Sequence, residues 1–453
     1  MGDNVNPLAL KEKISYGLGD AAFNFIWMTF IYYQLFFYTD VFGISAAAVG
    51  TMLLLTRVWD TVNDPLMGLI TDRTRSSWGR FRPYLLFGAI PLGIAATLCF
   101  TTPDLNPDQK LIYAYITYFM VGIIYTMINI PYSSLMGVMS ADSKERSALS
   151  MFRFIGAYGT SIVVLYCTLD LVRILGGGDQ ERGFQLTMGL YAIVTSILLL
   201  ICFKYTHERV HPVSTKKTPF WQDLLDLLSN GPFMVLFAVG IFTLAFVSIR
   251  NGVTIHYFKY YILDENIAKY FMTGAAIMNL LGVATTKFLT DRFDKKVLYI
   301  ALMLTNALMM AVIYFATPDD LIMLFSIHFL SAFISGPTVP IVFAMYADIA
   351  DYSESKCCRR ATGLIFAGAS FSQKMGWAIG GASAGYLLSF YNYQPNVAQT
   401  AETLDGIRYM FTIIPGVCAG LAAAVMFFYF LNNDVMQKVA RDLTAKKQAV
   451  LRG

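Results

Sequence analysis

Arg57-Val-Trp-Asp60-Thr-Val-Asn63-Asp64-Pro65 interrupts an otherwise apolar run near residues 46–71. Arg57, Asp60 and Asp64 are spaced three and four apart, so one helical face carries all three, with Asn63 beside them. On a soluble helix this would be an ordinary solvated face. Inside a bilayer each charge costs about 3 kcal/mol and needs a partner or a wet cavity. The meaning of the stretch therefore turns on its solvent.

Composition settles that. The chain has 453 residues, of which 56% are hydrophobic and only 14% charged, and its mean hydropathy is +0.54. Soluble domains carry about 25% charged residues. So few charges exclude a cytosolic enzyme, a disordered scaffold and a nucleic-acid binder, and a net charge of +4 is too small to imply a polyanionic partner. Apolar stretches long enough to span fall near 14–40, 46–71, 83–102, 110–139, 148–175, 184–206, 232–263, 266–290, 297–316, 319–349, 362–390 and 407–431. The short alternating strands of a membrane β-barrel do not occur. The first stretch contains Asp20 and Asn24 and is too long for a cleavable signal peptide. With both termini cytoplasmic, about 23 Lys and Arg fall inside against about 5 outside. The six cysteines and four histidines show no metal-ligand spacing.

The expected fold is an all-α membrane protein, a major facilitator fold with 12 transmembrane helices in two pseudo-symmetric six-helix halves. The longest internal polar stretch divides the chain into a first half at 1–206, a cytoplasmic linker at 207–230, a second half at 231–431 and a tail at 432–453. Within the linker, Phe220–Leu228 reads as a short amphipathic helix on the membrane surface. Thr71-Asp72-Arg73 after span two and Thr290-Asp291-Arg292 after span eight form a weak internal repeat. Gly176-Gly-Gly-Asp179 lacks a following Lys-Ser/Thr and reads as a turn, not a phosphate loop.

Other polar faces accompany the opening stretch. Span one carries Tyr16, Asp20, Asn24 and Trp27 at spacings of four, four and three; Asp20 is read either as a site residue or as the partner of a loop arginine. Span four places Thr126, Asn129 and Ser133 on one face, followed by Tyr132, and span five contributes Arg153. Span eleven carries Ser370, Gln373, Lys374 and Trp377. Two carboxylates one turn apart suit Na⁺ or one shared proton, because they resist joint ionisation. Arg57 offsets part of their charge when the cation is absent, and Pro65 frees a backbone carbonyl near residue 61. Arg57, Arg153 and Lys374 against Asp60 and Asp64 make the midplane net positive, which would complement an anionic sugar. Asp348, Asp351 and Glu354 are acidic where the positive-inside rule expects bases. They read as a gate closed by ion pairs with Arg146, Arg292 or the nearby Arg360, alongside Asp72 and Arg73. Arg250 is read as a possible cavity residue and Lys259 as lying at the outer rim.

Taken together, Ile14-Ser-Tyr16-Gly-Leu-Gly19-Asp20, Phe37-Tyr-Thr-Asp40, Arg57-Val-Trp-Asp60 with Asn63-Asp64-Pro65, Trp78-Gly79-Arg80-Phe81-Arg82-Pro83, Asn129-Ile-Pro131-Tyr132, and Asp348-Ile-Ala-Asp351-Tyr352 with Glu354 resemble the glycoside–pentoside–hexuronide:cation symporters, the melibiose permease-like family. The resemblance covers essentially the whole chain. It implies Na⁺ or H⁺ symport, with the coupling cation held at Asp60, Asn63, Asp64 and Thr126 and the sugar cavity lined by Arg153 and Lys374. Asn24 and Asn129 stand where melibiose permease has aspartates, and Ser133 and Val339 where it has tryptophans, which looks more like the glucuronide and xyloside branches. The remaining sugar candidates are Asn24, Trp27, Arg57, Asn129, Tyr132, Ser370, Gln373 and Trp377. The implied setting is a bacterial-type inner membrane, with a monomer that needs a sugar, a monovalent cation and lipid, but no cofactor and no nucleic acid. The rival readings are a lipid or lysolipid symporter of the same fold and a membrane sugar sensor that does not transport.

Overall fold

The computed structural model describes residues 8–140, 142–209, 229–357, 362–432, 435–439 and 441–442. The expected linker helix, Arg360, most of the tail and the side chain of Asp72 lie outside the described residues. Among those described, the regular structure is helical throughout. The helices are α1 (Leu10–Phe36), α2 (Ala46–Arg73), α3 (Arg82–Cys99), α4 (Pro107–Met139), α5 (Ser143–Gly176), α6 (Gln180–Tyr205), α7 (Gly231–His256), α8 (Ala268–Ala284), α9 (Thr286–Thr290), α10 (Lys295–Ile313), α11 (Leu321–Ser335), α12 (Thr338–Cys357), α13 (Thr362–Phe390), α14 (Ala401–Phe411) and α15 (Ile413–Met426).

Nine helical segments among the described residues are long and apolar enough to cross a membrane. Helices α1, α2 and α13 are not among them, and these are the helices that carry the polar stripes of spans one, two and eleven. Polar and charged side chains are what lower the hydropathy of these three helices.

Helix starts follow from short polar side chains that accept from otherwise unpaired backbone N–H groups. Ser45 caps α2, Asn106 caps α4, Asp179 caps α6 and Asn230 caps α7. Gly177 and Gly178 take positive φ in the turn before Asp179, as a glycine-rich turn requires. Three expected spans are divided, the 266–290 stretch separating into α8 and α9 at Thr285. The 319–349 stretch separates into α11 and α12 at Gly336 and Pro337, and the last span breaks at Thr412, three residues before Pro415. A proline removes one helical hydrogen bond and crowds the carbonyl four residues back, which for Pro415 is that of Phe411.

The described residues form two compact units. The first comprises residues within Met1–Ser214 together with Asp264–Thr273 and Gly385–Gln399. In it α1 packs on α5 and α6, and α3 on α4 and α6. Its two late-sequence segments are tied in by Lys269 Nζ to Asp170 Oδ2 at 2.6 Å and by Tyr393 Oη donating to Asp40 Oδ2 at 2.6 Å. The second unit comprises residues within Thr215–Leu263, Gly274–Ala384 and Thr400–Gly453. There α15 packs on α7 and α10, and α10 on α11.

Candidate functional site

The opening stretch forms helix as its spacing predicts, and Arg57 and Asp60 pair within it. Arg57 Nη1 lies 2.9 Å from Asp60 Oδ2. The Arg57 guanidinium stacks 4.7 Å from the Trp27 ring centroid, and Trp27 stacks on Tyr125 at 5.7 Å. Asp60 and Asn63 are only 4% and 5% exposed. Thr126 Oγ1 of α4 donates to Asp64 Oδ1 at 3.3 Å. Asp60 Oδ1 and Asn63 Nδ2 are buried without a hydrogen-bond partner. A buried acceptor left unsatisfied costs about 1–3 kcal/mol, so this oxygen is suited to a cationic ligand. Half a turn of the Asn63 amide would exchange its orphan donor for another acceptor. Two carboxylates, a hydroxyl and an amide oxygen make a hard donor set appropriate to Na⁺ or a proton. Gly122 of α4 faces this cluster, and a β-carbon there would stand 4.0 Å from Asp60 Oδ1.

Asp20 resolves differently from expectation. Its Oδ1 accepts from Arg153 Nε at 3.0 Å, so its partner is an arginine within span five and not one in a loop. The two helices can approach because Gly17 and Gly156 face each other. A β-carbon on Gly17 would stand 2.5 Å from the Phe152 carbonyl oxygen, and one on Gly156 would collide with the Gly17 carbonyl. Asn24 Nδ2 donates to the Asp20 carbonyl at 2.8 Å and remains half-buried, as does Asn129. Tyr132, expected to contact sugar, is fully buried. Its ring stacks on Tyr16 at 4.7 Å, its hydroxyl donates to the Tyr16 carbonyl at 2.7 Å, and Arg153 lies 5.5 Å from its centroid. It is a packing surface behind Arg153, not a platform for a sugar ring.

Asp20 alters the expected charge balance. Counting Asp20, the first unit sets three carboxylates against the two guanidiniums of Arg57 and Arg153, and each guanidinium is paired with one of those carboxylates. Among these five groups one carboxylate is in excess, and with Lys374, which the expectation also counted, three carboxylates balance three cations.

In the second unit α13 carries the other stripe. Gln373, Lys374 and Trp377 are half-buried, and Ser370 is exposed with its hydroxyl donating to the Phe366 carbonyl at 3.1 Å. The back of α13 lies against α7. A β-carbon on Gly376 would meet Leu244 Cβ at 2.6 Å and one on Gly380 would meet Ser248 Cβ at 2.5 Å, while Ser248 Oγ donates to the Trp377 carbonyl at 3.1 Å. Arg250 is buried: its Nη2 donates to His328 Nδ1 at 2.6 Å and its guanidinium lies 5.1 Å from the Phe411 centroid, so it belongs to the packed interior. Because arginine only donates, His328 accepts at Nδ1 and carries its proton on Nε2. Lys259 lies 5.2 Å from the Tyr260 centroid.

Of the expected gate, Asp348 takes Lys295 of α10 as its partner at 2.6 Å. That lysine had not been singled out, although it stands next to the Asp291–Arg292 repeat. Asp351 and Glu354 continue along α12, half-buried. Arg292 stacks 3.9 Å from the Phe288 centroid, Arg146 Nη1 reaches the Ser140 carbonyl at 3.4 Å, and Arg73 is exposed. Glu208 was also missed. Its carboxylate accepts from the backbone N–H groups of Arg80, Phe81 and Arg82 at 2.9, 2.7 and 3.1 Å, capping the start of α3. Gly79, at φ +107, leaves room for it. The available signal was a single acid among the bases Lys204, His207 and Arg209.

Comparisons with known proteins agree with this architecture. The chain is 35% identical to a putative glycoside/cation symporter of Escherichia coli (strain K12) over 446 residues, covering 98% of this chain and 97% of the relative. It is 33% identical to an isoprimeverose transporter of Lactiplantibacillus pentosus, covering 97% and 92%, and 29% identical to a glucuronide carrier protein homolog of Escherichia coli (strain K12), covering 97% of each. A solved D-xylose-proton symporter superposes with a TM-score of 0.67 at 15% identity, covering 92% of this chain and 97% of that one, which establishes the major facilitator fold. A family model described as MFS/sugar transport protein matches residues 15–433, and the chain belongs to that family.

Proposed function

We propose that this chain is a secondary active symporter that imports a glycoside or pentoside across a bacterial-type inner membrane, driven by Na⁺ or H⁺, with both termini cytoplasmic. The observation that carries the reading is Asp60: one carboxylate oxygen is held by Arg57 at 2.9 Å while the other is buried without a partner, one turn from Asp64 and its Thr126 hydroxyl. A monovalent cation entering there supplies the missing charge and satisfies the orphan oxygen. Asp60, Asn63, Asp64 and Thr126 then hold the cation, and Arg57 is released from sole charge of Asp60. Two neighbouring carboxylates bind the cation as a charge shared between them. Affinity for the sugar then rises with cation occupancy, which is the linkage that symport requires.

Candidate sugar contacts within the first unit are Asn24, Trp27, Asn129 and Arg153, and within the second unit the polar stripe of α13 offers Ser370, Gln373, Lys374 and Trp377. Asp348, Asp351 and Glu354, with Lys295, form the charged cluster that rearranges during alternating access. The complete oxygen donor set favours Na⁺ over H⁺. Uptake of a labelled neutral pentoside into membrane vesicles at fixed pH, with and without an imposed Na⁺ gradient, tests this. Accumulation that follows the Na⁺ gradient supports the reading. Accumulation driven only by a pH gradient moves the site to proton coupling, and equilibration insensitive to both removes symport.

A further inference from the structure

We infer that Asp20 is a positioning residue that sets the charge class of the sugar, making the Arg153 guanidinium a fixed hydrogen-bond fork for a neutral glycoside. The inference rests on Arg153 being a sugar contact, as proposed above. Asp20 and Arg153 each lie ten residues beyond the first residue of their helix, Leu10 of α1 and Ser143 of α5. That is about 15 Å along each axis, roughly half the hydrocarbon thickness. At that depth the pair is asymmetric. The Arg153 side chain retains 30% exposure and that of Asp20 only 11%. The carboxylate is therefore the inner, anchoring member, and the guanidinium is the member presented outward.

Asp20 takes the Nε–H of Arg153 at 3.0 Å. The two terminal nitrogens, with four N–H donors, are not used by that bond. Tyr132 lies beneath the guanidinium at 5.5 Å from its centroid, and the mutual hydrogen bonds of Tyr16 and Tyr132 lock that ring. Orientation is thus set by a carboxylate at one edge and an aromatic ring at one face. The outward edge of the fork matches two adjacent hydroxyl oxygens of a sugar.

An unpaired guanidinium in a low-dielectric site would select a carboxylate, which it binds in two parallel charge-assisted bonds. Here the charge is already neutralised. A hexuronide would bring a second carboxylate to the guanidinium that Asp20 occupies, and two carboxylates at close range repel. A neutral sugar meets the same donors without that repulsion. Asp20 therefore excludes the anionic class while leaving the donors in place.

The test uses the full-length transporter in vesicles, with a neutral xyloside and a glucuronide that share one aglycone. The wild type should favour the xyloside in kcat/KM by at least about 10-fold. Asp20→Asn should shift the xyloside-to-glucuronide ratio by about 10-fold or more toward the glucuronide, mainly through KM. Asp20→Glu should keep the wild-type order. If Asp20 only held the fold, Asp20→Asn would depress both substrates alike and leave their ratio unchanged; that result overturns the inference, as does a wild type that prefers the glucuronide. Arg153→Gln separates the two levels. Unchanged KM for both sugars in that variant removes the sugar-contact reading itself, whereas raised KM with an unmoved Asp20→Asn ratio removes only the role given to Asp20.

Discussion

Two arginine–carboxylate pairs lie inside the first unit, and they are built in opposite ways. Arg57 and Asp60 are three residues apart on one helix, with the carboxylate buried and one of its oxygens unsatisfied. Arg153 and Asp20 come from different helices, α5 and α1, which meet where Gly17 faces Gly156. A pair within one helix holds no neighbouring helix in place, so a cation can take over from the arginine without disturbing the packing. A pair between helices is part of the packing itself. The first is suited to exchange and the second to orientation, although both are the same chemical interaction.

The contrast is broken most severely at Asp60. Asp60→Asn removes the buried charge and leaves Arg57 without its partner. Cation-driven accumulation should fall by about 100-fold or more because the site loses a charge that holds the cation, and breaking the buried pair also costs about 3–5 kcal/mol of fold stability. Sugar accumulation in vesicles under an imposed cation gradient reads this directly. Next comes Gly156→Leu, which places a branched side chain against the Gly17 backbone. Overpacking of this kind costs about 1–3 kcal/mol. The thermal unfolding midpoint should drop, and sugar KM should rise about 10-fold as Arg153 is displaced, with cation dependence retained. The smallest effect is expected at Glu208→Gln, which belongs to neither pair. It keeps one acceptor oxygen for the α3 N-terminus and loses the charge, worth about 0.3–1 kcal/mol, and the second acceptor oxygen, worth about 1 kcal/mol. Transport should change less than about 3-fold, as initial-rate uptake would show.

The same contrast explains what could be read from the chain alone. The α2 cluster was legible because 57, 60, 63 and 64 lie within two turns of one helix, and a helical repeat alone brings them together. Asp20 and Arg153 are 133 positions apart, and nothing in spacing joins them. Asp20 was left out of the charge count, and adding it brings Arg57, Arg153 and Lys374 level with Asp20, Asp60 and Asp64. Tyr132 carries the same lesson: its type and neighbours fit a sugar platform, and only the packing of Tyr16 on its face shows that it is buried. The twelve apolar stretches were visible because a bilayer imposes their length, whereas the divisions at Pro337 and Thr412 were masked by unbroken hydrophobicity. Lys295 and Glu208 escaped because basic loops contain many interchangeable charges, and only geometry shows which one is paired.

The central claim is that a monovalent cation held by the α2 carboxylates drives accumulation. Replacing Asp64 by cysteine and measuring two fluxes in the same vesicles tests it most directly. Sugar exchange at equal concentrations needs only the sugar contacts and alternating access, whereas uphill uptake also needs the coupling cation. The account predicts that Asp64→Cys retains measurable sugar exchange and loses cation-driven accumulation. Undiminished uphill uptake in that variant would contradict it.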